Sequence, residues 1–424
     1  MPTYTETNAN GMRKRVPLME VFTEAFPERT PCLTAIRKKS GINTTSPESN
    51  SSKVEFPFKT FSAGENRGVN DTEDFDPATE AENNESNKTM LATRIQLIRN
   101  GVATGRITGA VTQQVAGPAT QPKRITTDHK MDMLRRMRES KEKLLLSEAH
   151  CRPQPSSPAA PSMTEGFAGV MRRSEARPDL PTDAMAAPAA GQMVNVASAG
   201  DFTEATLNSM LATCWNARQT EASWHLFGHV DLQTVIDNFL MFGPQTSSSL
   251  PLRRVNMNGG DGKIDVSVKS YKSTFGTVDF SLNAKLPSAV TLTGCGTTNG
   301  SATLTVSSNA KLYPGMPVVG TGIPAGTRIA AVPSKQQSST AVYLTANASA
   351  TGTVSIVFGE TVYGELWDFD AAVLGYLDEV GFQMLENRGG GERGYTDCLI
   401  AHCITNPQSQ GIIRKTQSGF NGEA

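Results

Sequence analysis

The chain has 424 residues, and its 40 Lys and Arg nearly cancel its 41 Asp and Glu to leave a net charge of −1. That balance excludes a dedicated nucleic-acid binder, whose footprint is strongly basic, and a disordered acidic chain. The length suits two or three domains; no run of about 18 apolar residues marks a membrane helix, and the opening MPTYTETNANGMRKRV lacks the apolar core of a secretory signal.

Residues 1–52 are polar and broken by Pro and Ser, with a short amphipathic stretch at 18–26, and read as an arm. Residues 54–58 alternate apolar and polar as a half-buried strand does. A return strand over 91–97 is expected to place Leu91, Ile95 and Leu97 on one face. Between the two lie eight acids (Glu65, Asp71, Glu73, Asp74, Asp76, Glu80, Glu82 and Glu85) against one base, Arg67. A two-stranded ribbon over 53–105 buries too little to stand alone and needs a surface to lie on; a disordered acidic loop is the alternative.

Residues 128–150 predict a long helix, with Met133, Leu134, Met137, Leu144 and Leu145 at three-to-four spacing. Arg135–Glu139, Arg138–Glu142 and Glu139–Lys143 are i,i+4 pairs, and Thr127 or Asp128 caps the start. Its bases, Arg135, Arg136 and Arg138 among them, read as a solvated face laced with its own acids, with phosphate contact as the alternative. Residues 152–200 carry seven Pro and the runs RPQPSSPAAPS and AMAAPAAGQ, and read as a connector.

A second globular part is expected from Asp201. FTEATLNSMLATCWNA predicts a helix capped by Asp201 or Thr203, SWHLFGHV a strand, and 231–239 another helix. Residues 255–268 and 275–282 read as a hairpin pair. The segment 370–386 reads as a helix with Asp368 as N-cap, ending in NRGGGERG before a closing strand, CLIAHCIT. Residues 288–360 differ from all of this. They are rich in Thr, Ser, Val, Ala and Gly, with short alternating strands (ATLTV, MPVVG, TRIAAV, AVYLTA, TVSIVF) between regular turns. That spacing indicates a small all-β sandwich or barrel, hung from a surface hairpin as an insertion.

Chemistry-bearing motifs are few. His225 and His229 lack the Glu of a zinc-protease helix and fall on a predicted strand. Gly320, Gly322 and Gly326 are read as turn glycines, since no helix follows to face a phosphate. NMNGGDGKID at 256–265 departs from a calcium loop at Gly260 and Asp261 and reads as a hairpin turn. The six cysteines, 32, 151, 214, 295, 398 and 403, form no CxxC pair and read as idle thiols of a reducing compartment. The odd separation of Cys398 and Cys403 puts them on opposite faces of a strand. No catalytic residue, metal or cofactor is expected.

The order of parts carries a resemblance. RTPCLTAI, VEFPFKTF with its acidic tip, NGVATGRITGAV and MDMLRRMRESKEKLLL stand in sequence, followed by MTEGFAGVM, VSVKSYKSTFGTVDF and YLDEVGFQMLENRGGGERGYTDCLIAHCITNPQSQG. This series resembles the major capsid proteins of tailed bacteriophages over 17–283 and 361–415. The resemblance implies an α+β fold: an N-terminal arm (1–52), an extended E-loop ribbon (53–105), and a spine helix of the peripheral domain with its connector (106–200). Axial-domain helices and a peripheral-domain hairpin (201–287) follow, and 361–424 completes the capsid fold. The small all-β domain at 288–360 is inserted and lies outside the pattern; the connector is also longer than the pattern suggests.

What the resemblance implies about function is a non-enzymatic subunit that assembles in the host bacterial cytoplasm into the icosahedral shell around double-stranded DNA. Its partners would be copies of itself in pentamers and hexamers, portal and scaffold proteins, and packaged DNA held non-specifically, with a decoration protein left open and no membrane. Charge sign alone motivates an inter-subunit contact in which Glu65, Asp71, Glu73, Asp74 and Asp76, with Arg67 among them, meet Arg135, Arg136 and Arg138. A bacterial nanocompartment shell of the same fold is the alternative, and an unrelated enzyme or adhesin a more distant one.

Overall fold

The computed structural model describes residues 30–40, 53–59, 88–103, 127–151, 161–172, 188–239, 268–333, 340–386 and 393–416. The amphipathic stretch at 18–26, the acidic tip, the 256–265 loop and most of the first predicted hairpin strand lie outside them.

Two sheets and one long helix make the body. The first sheet has the order β1-β16-β17-β4, formed by Arg37–Ser40, Ala372–Leu385, Arg393–Ile404 and Gln96–Ala103. The long helix α2, Thr127–Leu145, packs against it after the five-residue α1, Pro31–Ala35. Met133, Met137, Leu144 and Leu145 are buried, whereas Leu134 is exposed; the inward stripe is narrower than the sequence spacing predicts.

The second sheet has the order β5-β18-β15-β6-β8-β7. Its strands are Met193–Val196, Gly411–Lys415, Val362–Asp368, Ala222–Gly228, Gly276–Leu282 and Ser270–Ser273. Successive residues of β6 and β15 point to two different cores, as the strand period of two requires. Trp224, Leu226 and Leu366 meet Leu207, Met210 and Leu211 of α4 (Glu204–Arg218) and Ile236 of α5 (Val230–Phe239). Phe227 and Trp367 face the other way, toward α2, Phe167 and Ile400. Thr203, not Asp201, caps α4, accepting from the Thr206 amide at 3.2 Å. The second strand of the expected hairpin, Gly276–Leu282, pairs with Ser270–Ser273, which follows the predicted first strand 255–268, most of which lies outside the described residues.

Two expectations fail for identifiable reasons. Residues 372–385 are a strand, where the sequence suggested a helix. Register breaks between Tyr376 and Gly381 shift the apolar phase, and the strand alternation then mimics a helical spacing. Gly375 and Gly381 would also weaken any helix there. Asp368 still caps, but it caps the short turn Phe369–Ala371 by accepting from the Asp370 amide. The return strand likewise breaks at Ile95: Lys88–Arg94 (β3) pairs with Lys53–Lys59 (β2), and β4 then leaves to join β17. Leu91 and Ile95 are buried, but Leu97, beyond the break, is 46% exposed.

The connector is not uniformly loose. Residues 163–172 are buried throughout and include the four-residue α3, Phe167–Val170, in the main core. Gly166 sits where a Cβ would fall 2.1 Å from the Ser147 carbonyl oxygen, so this crossing of two backbones needs a glycine.

Residues 290–358 form a six-stranded sheet of their own, order β11-β14-β9-β10-β13-β12. Its strands are Val318–Gly320, Gly352–Phe358, Val290–Thr297, Thr303–Thr305, Ala341–Leu344 and Ile329–Ala331. The outer strands β11 and β12 meet through the Pro317–Arg328 bridge and the bonds Val318 N–H to Thr327 O and Ile329 N–H to Met316 O, both 2.9 Å. The sheet therefore closes into a barrel around Cys295, Leu304, Val342, Ile356 and Phe358. Entry and exit run side by side on β9 and β14.

Candidate subunit-contact surfaces

The exposed face of α2 carries all three arginines singled out from sequence. Arg135 lies 3.9 Å from Asp132, both well exposed. Arg138, one turn on, donates from Nη2 to the Thr30 hydroxyl at 3.2 Å. Arg136 is exposed beside them, and Met131 and Leu134 share this outer face as exposed apolar side chains. The structure thus brings the bases together. Their proposed partners Glu65, Arg67, Asp71, Glu73, Asp74 and Asp76 lie outside the described residues.

Further along, Glu139 accepts from Lys143 at 2.8 Å and from Lys285 at 2.7 Å. Those two hydrogen bonds and charges bring its carboxyl down to about 2. Glu142, the expected i,i+4 partner of Arg138, does something else. Its carboxylate accepts from the amides of Cys32 (3.0 Å) and Leu33 (2.7 Å) and from Asn283 Nδ2 (2.6 Å), all buried. Burial raises its pKa despite these bonds. One side chain therefore ties α1, α2 and the end of β8 together.

Beside this clamp runs an open groove of about 760 Å3, whose walls include Pro31, Thr34, Arg138, Asp237, Lys269 and Leu282. A second exposed region is the far half of β16, where Leu377, Val380, Met384 and Leu385 are exposed, the last two on opposite faces of the strand. Exposed apolar side chains on both faces of a strand suit a segment covered by other chains.

The candidate motif residues that the structure describes take ordinary structural places. His225 lies on β6 with Nε2 2.8 Å from the Ser281 hydroxyl, and burial lowers its pKa. His229 follows the strand and sits 3.2 Å from Asp231. Gly322 and Gly326 occupy turns at φ 80 and 76, and Gly320 is on β11. All six cysteines are buried and none is in a disulfide, and Cys398 and Cys403 do fall in different cores. Among the described residues, no group of His, Cys, Asp and Glu is placed to hold a metal.

Comparison with known proteins gives the family. A family model described as SU10 major capsid protein matches residues 1–312. The chain belongs to that family. It is a phage major capsid protein, a structural component of the virion. Among solved structures it is similar to the capsid of Cyanophage P-SCSP1u, with 10% identity, TM-score 0.46, and coverage of 99% of this chain and 97% of that one. The mature capsid of bacteriophage PhiM1 gives 9%, 0.43, 98% and 99%, and the holo-SrpI encapsulin complex of Synechococcus elongatus PCC 7942 gives 8%, 0.40, 97% and 96%. No curated protein matches.

In this capsid protein the residue that sequence reasoning missed is Glu142. On a helical wheel it stands opposite Met133, on the face read as solvent. It is buried only because α1, more than a hundred residues earlier, packs over it. No local spacing records that. Lys141 is hidden in the same way, its ammonium 4.7 Å above the Tyr376 ring.

Proposed function

We propose that the chain assembles with copies of itself, as pentamers and hexamers, into an icosahedral shell enclosing phage double-stranded DNA. The family match over 1–312 carries the reading. It is supported by the exposed apolar and basic side chains that α2 presents together, Met131 and Leu134 beside Arg135 and Arg136. The role is non-enzymatic. Assembly takes place in the host bacterial cytoplasm with portal and scaffold proteins, DNA is enclosed without sequence readout, and 288–360 is an inserted module displayed on the outer surface, where a decoration protein could bind.

Within that shell, the acidic stretch from Glu65 to Glu85 of one subunit meets Arg135 and Arg136 of another. Arg138 contributes less to this contact, because its guanidinium is already turned to Thr30. Each exposed pair is worth about 0–1 kcal/mol, so apolar burial repeated over many subunits supplies most of the assembly energy.

The test is expression of the full chain, alone and with neighbouring genes, followed by size-exclusion chromatography and negative-stain microscopy. Closed shells or five- and six-fold capsomers are expected; a monomer under both conditions overturns the reading. Neutralising the acids from Asp71 to Glu85 should impair particle formation with the monomer still folded, and unchanged assembly would sink the charge contact alone.

A further inference from the structure

The barrel does more than hang from the body by two strands. Three separate parts of it converge on one stretch of body chain, Glu148–Ala149. The Tyr313 hydroxyl lies 3.0 Å from Glu148 Oε1, and the Glu360 amide donates to Oε2 at 2.8 Å. Arg328 Nη1 donates to the Glu148 carbonyl at 3.1 Å and to the Gly315 carbonyl at 2.9 Å. Gly359, at φ +75, has no room for a side chain, since a Cβ would come within 2.4 Å of Glu148 Oε1. Glu148 is fully buried in this seat.

A second carboxylate stands behind the first. Glu360, also fully buried, accepts from Arg172 at 2.5 Å and from Arg414 at 3.3 Å. Those two cations outweigh the burial penalty and keep Glu360 ionised. Glu148 has a different environment: its two hydrogen-bond donors are a phenol and a backbone amide. We propose that the seat of the barrel is a proton-linked latch, closed when Glu148 is neutral and loosened when it ionises beside Glu360.

The chemistry of the seat supports this. Burial, and then the negative charge of Glu360, push the Glu148 carboxyl up to about 8, against the opposing pull of the two donors and Arg172. Burial and Glu148 also raise Tyr313, so the phenol stays protonated and does not compete as an acid. His150 and Glu165 pair with each other at 3.4 Å next along the chain. A carboxyl that ionises near 4.5 when opened to water, but near 8 when seated, takes up a proton on closing. The seat is therefore tightest in acid and weakens as pH rises from the ordinary carboxylate range to about 8, then levels off.

The test is hydrogen exchange on the full chain between pH 5 and 9, read as protection factors so that the intrinsic pH dependence of exchange is removed. The amides of Gly359 and Glu360 report the seat, and that of Val342 inside the barrel is the internal control. In the native chain, seat protection should fall by up to about tenfold per pH unit below pH 8, with Val342 steady. Glu148→Gln, which keeps the shape without the charge, should flatten the profile. A flat native profile overturns the latch, as does an unchanged slope in the variant. Should that variant not fold, infrared titration of the native chain decides: a protonated-carboxyl band lost around pH 8 is expected, and no such band overturns the proposal.

Discussion

The body and the barrel of this capsid protein are held together by different means. In the body, segments remote in sequence are fastened by buried polar side chains: Glu142 joins residues 32, 33 and 283, and Gln410 holds the Asp368 backbone from both sides at 2.7 and 3.1 Å. Arg218 adds a close pair with Asp368 and a second with Asp370 at 2.9 Å. The barrel core is mainly aliphatic and aromatic, and its buried polar side chains bond chiefly to backbone: Thr297 donates to the Gly352 carbonyl at 3.2 Å and Arg328 to the Gly315 carbonyl at 2.9 Å. The barrel is closed mainly by backbone ladders, between strands that are themselves tens of residues apart. A body assembled from distant pieces needs polar hubs that reject wrong arrangements, because each leaves costly buried groups unpaired when misplaced.

The comparison is broken most severely at Trp367. Its ring stacks on Phe167 at 4.4 Å and its Nε1 donates to the buried Glu365 carboxylate at 3.0 Å. Trp367→Ala should destabilise the body by about 3–5 kcal/mol and abolish particle formation, measured by denaturant unfolding and microscopy. Burial already pushes Glu365 well above the usual carboxylate range, and the substitution removes its indole donor. Phe358→Ala in the barrel removes a fully buried ring as well. The same range of about 3–5 kcal/mol applies, but the loss should stay local. Exchange protection should collapse over 290–358 and persist at Leu226 and Ile400. Equal loss in both regions would show that they unfold as one unit.

The contrast also explains what could be read from sequence. The strand segments of 288–360 were legible because each alternates on a period of two between turn residues; their order in the sheet was not, since β14 returns from the end of the segment to lie between β9 and β11. Helix α4 and strand β6 were legible for similar reasons. The strand at 372–385 was not, because register breaks between Tyr376 and Gly381 disguise its period. Buried status at 163–172 was hidden by the Pro-rich runs on either side. As for the contact surfaces, the arginines of α2 could be placed on an outer face from helical spacing alone. Glu142 could not, since its partners come from two other parts of the chain.

Glu142→Gln sharpens the comparison at intermediate cost. The carboxylate accepts three donors on two oxygens, and an amide offers one acceptor while turning its NH2 toward an N–H group. A loss of about 1–3 kcal/mol is expected, read as a lower unfolding midpoint. It should be accompanied by faster exchange at the Cys32 and Leu33 amides and none in the barrel. Unchanged exchange at those amides would mean that α1 is held by its apolar contacts alone, and that the polar hub is dispensable.

The smallest effect belongs to Glu139, which bridges α2 to the chain leaving β8 through Lys285 but does so at a partly exposed position. Its depressed carboxyl means that the pair contributes fully above the ordinary carboxylate range and is lost as pH falls toward about 2. Solvent screening limits the contribution to about 0–1 kcal/mol. Glu139→Gln should therefore lower the midpoint slightly at pH 7, less so in high salt, and not at all near pH 2. A large salt-insensitive loss would place Glu139 among the buried fasteners with Glu142. The two carboxylates stand three residues apart on one helix, so the distinction between them is set by what packs over each, and this pair of variants measures it directly.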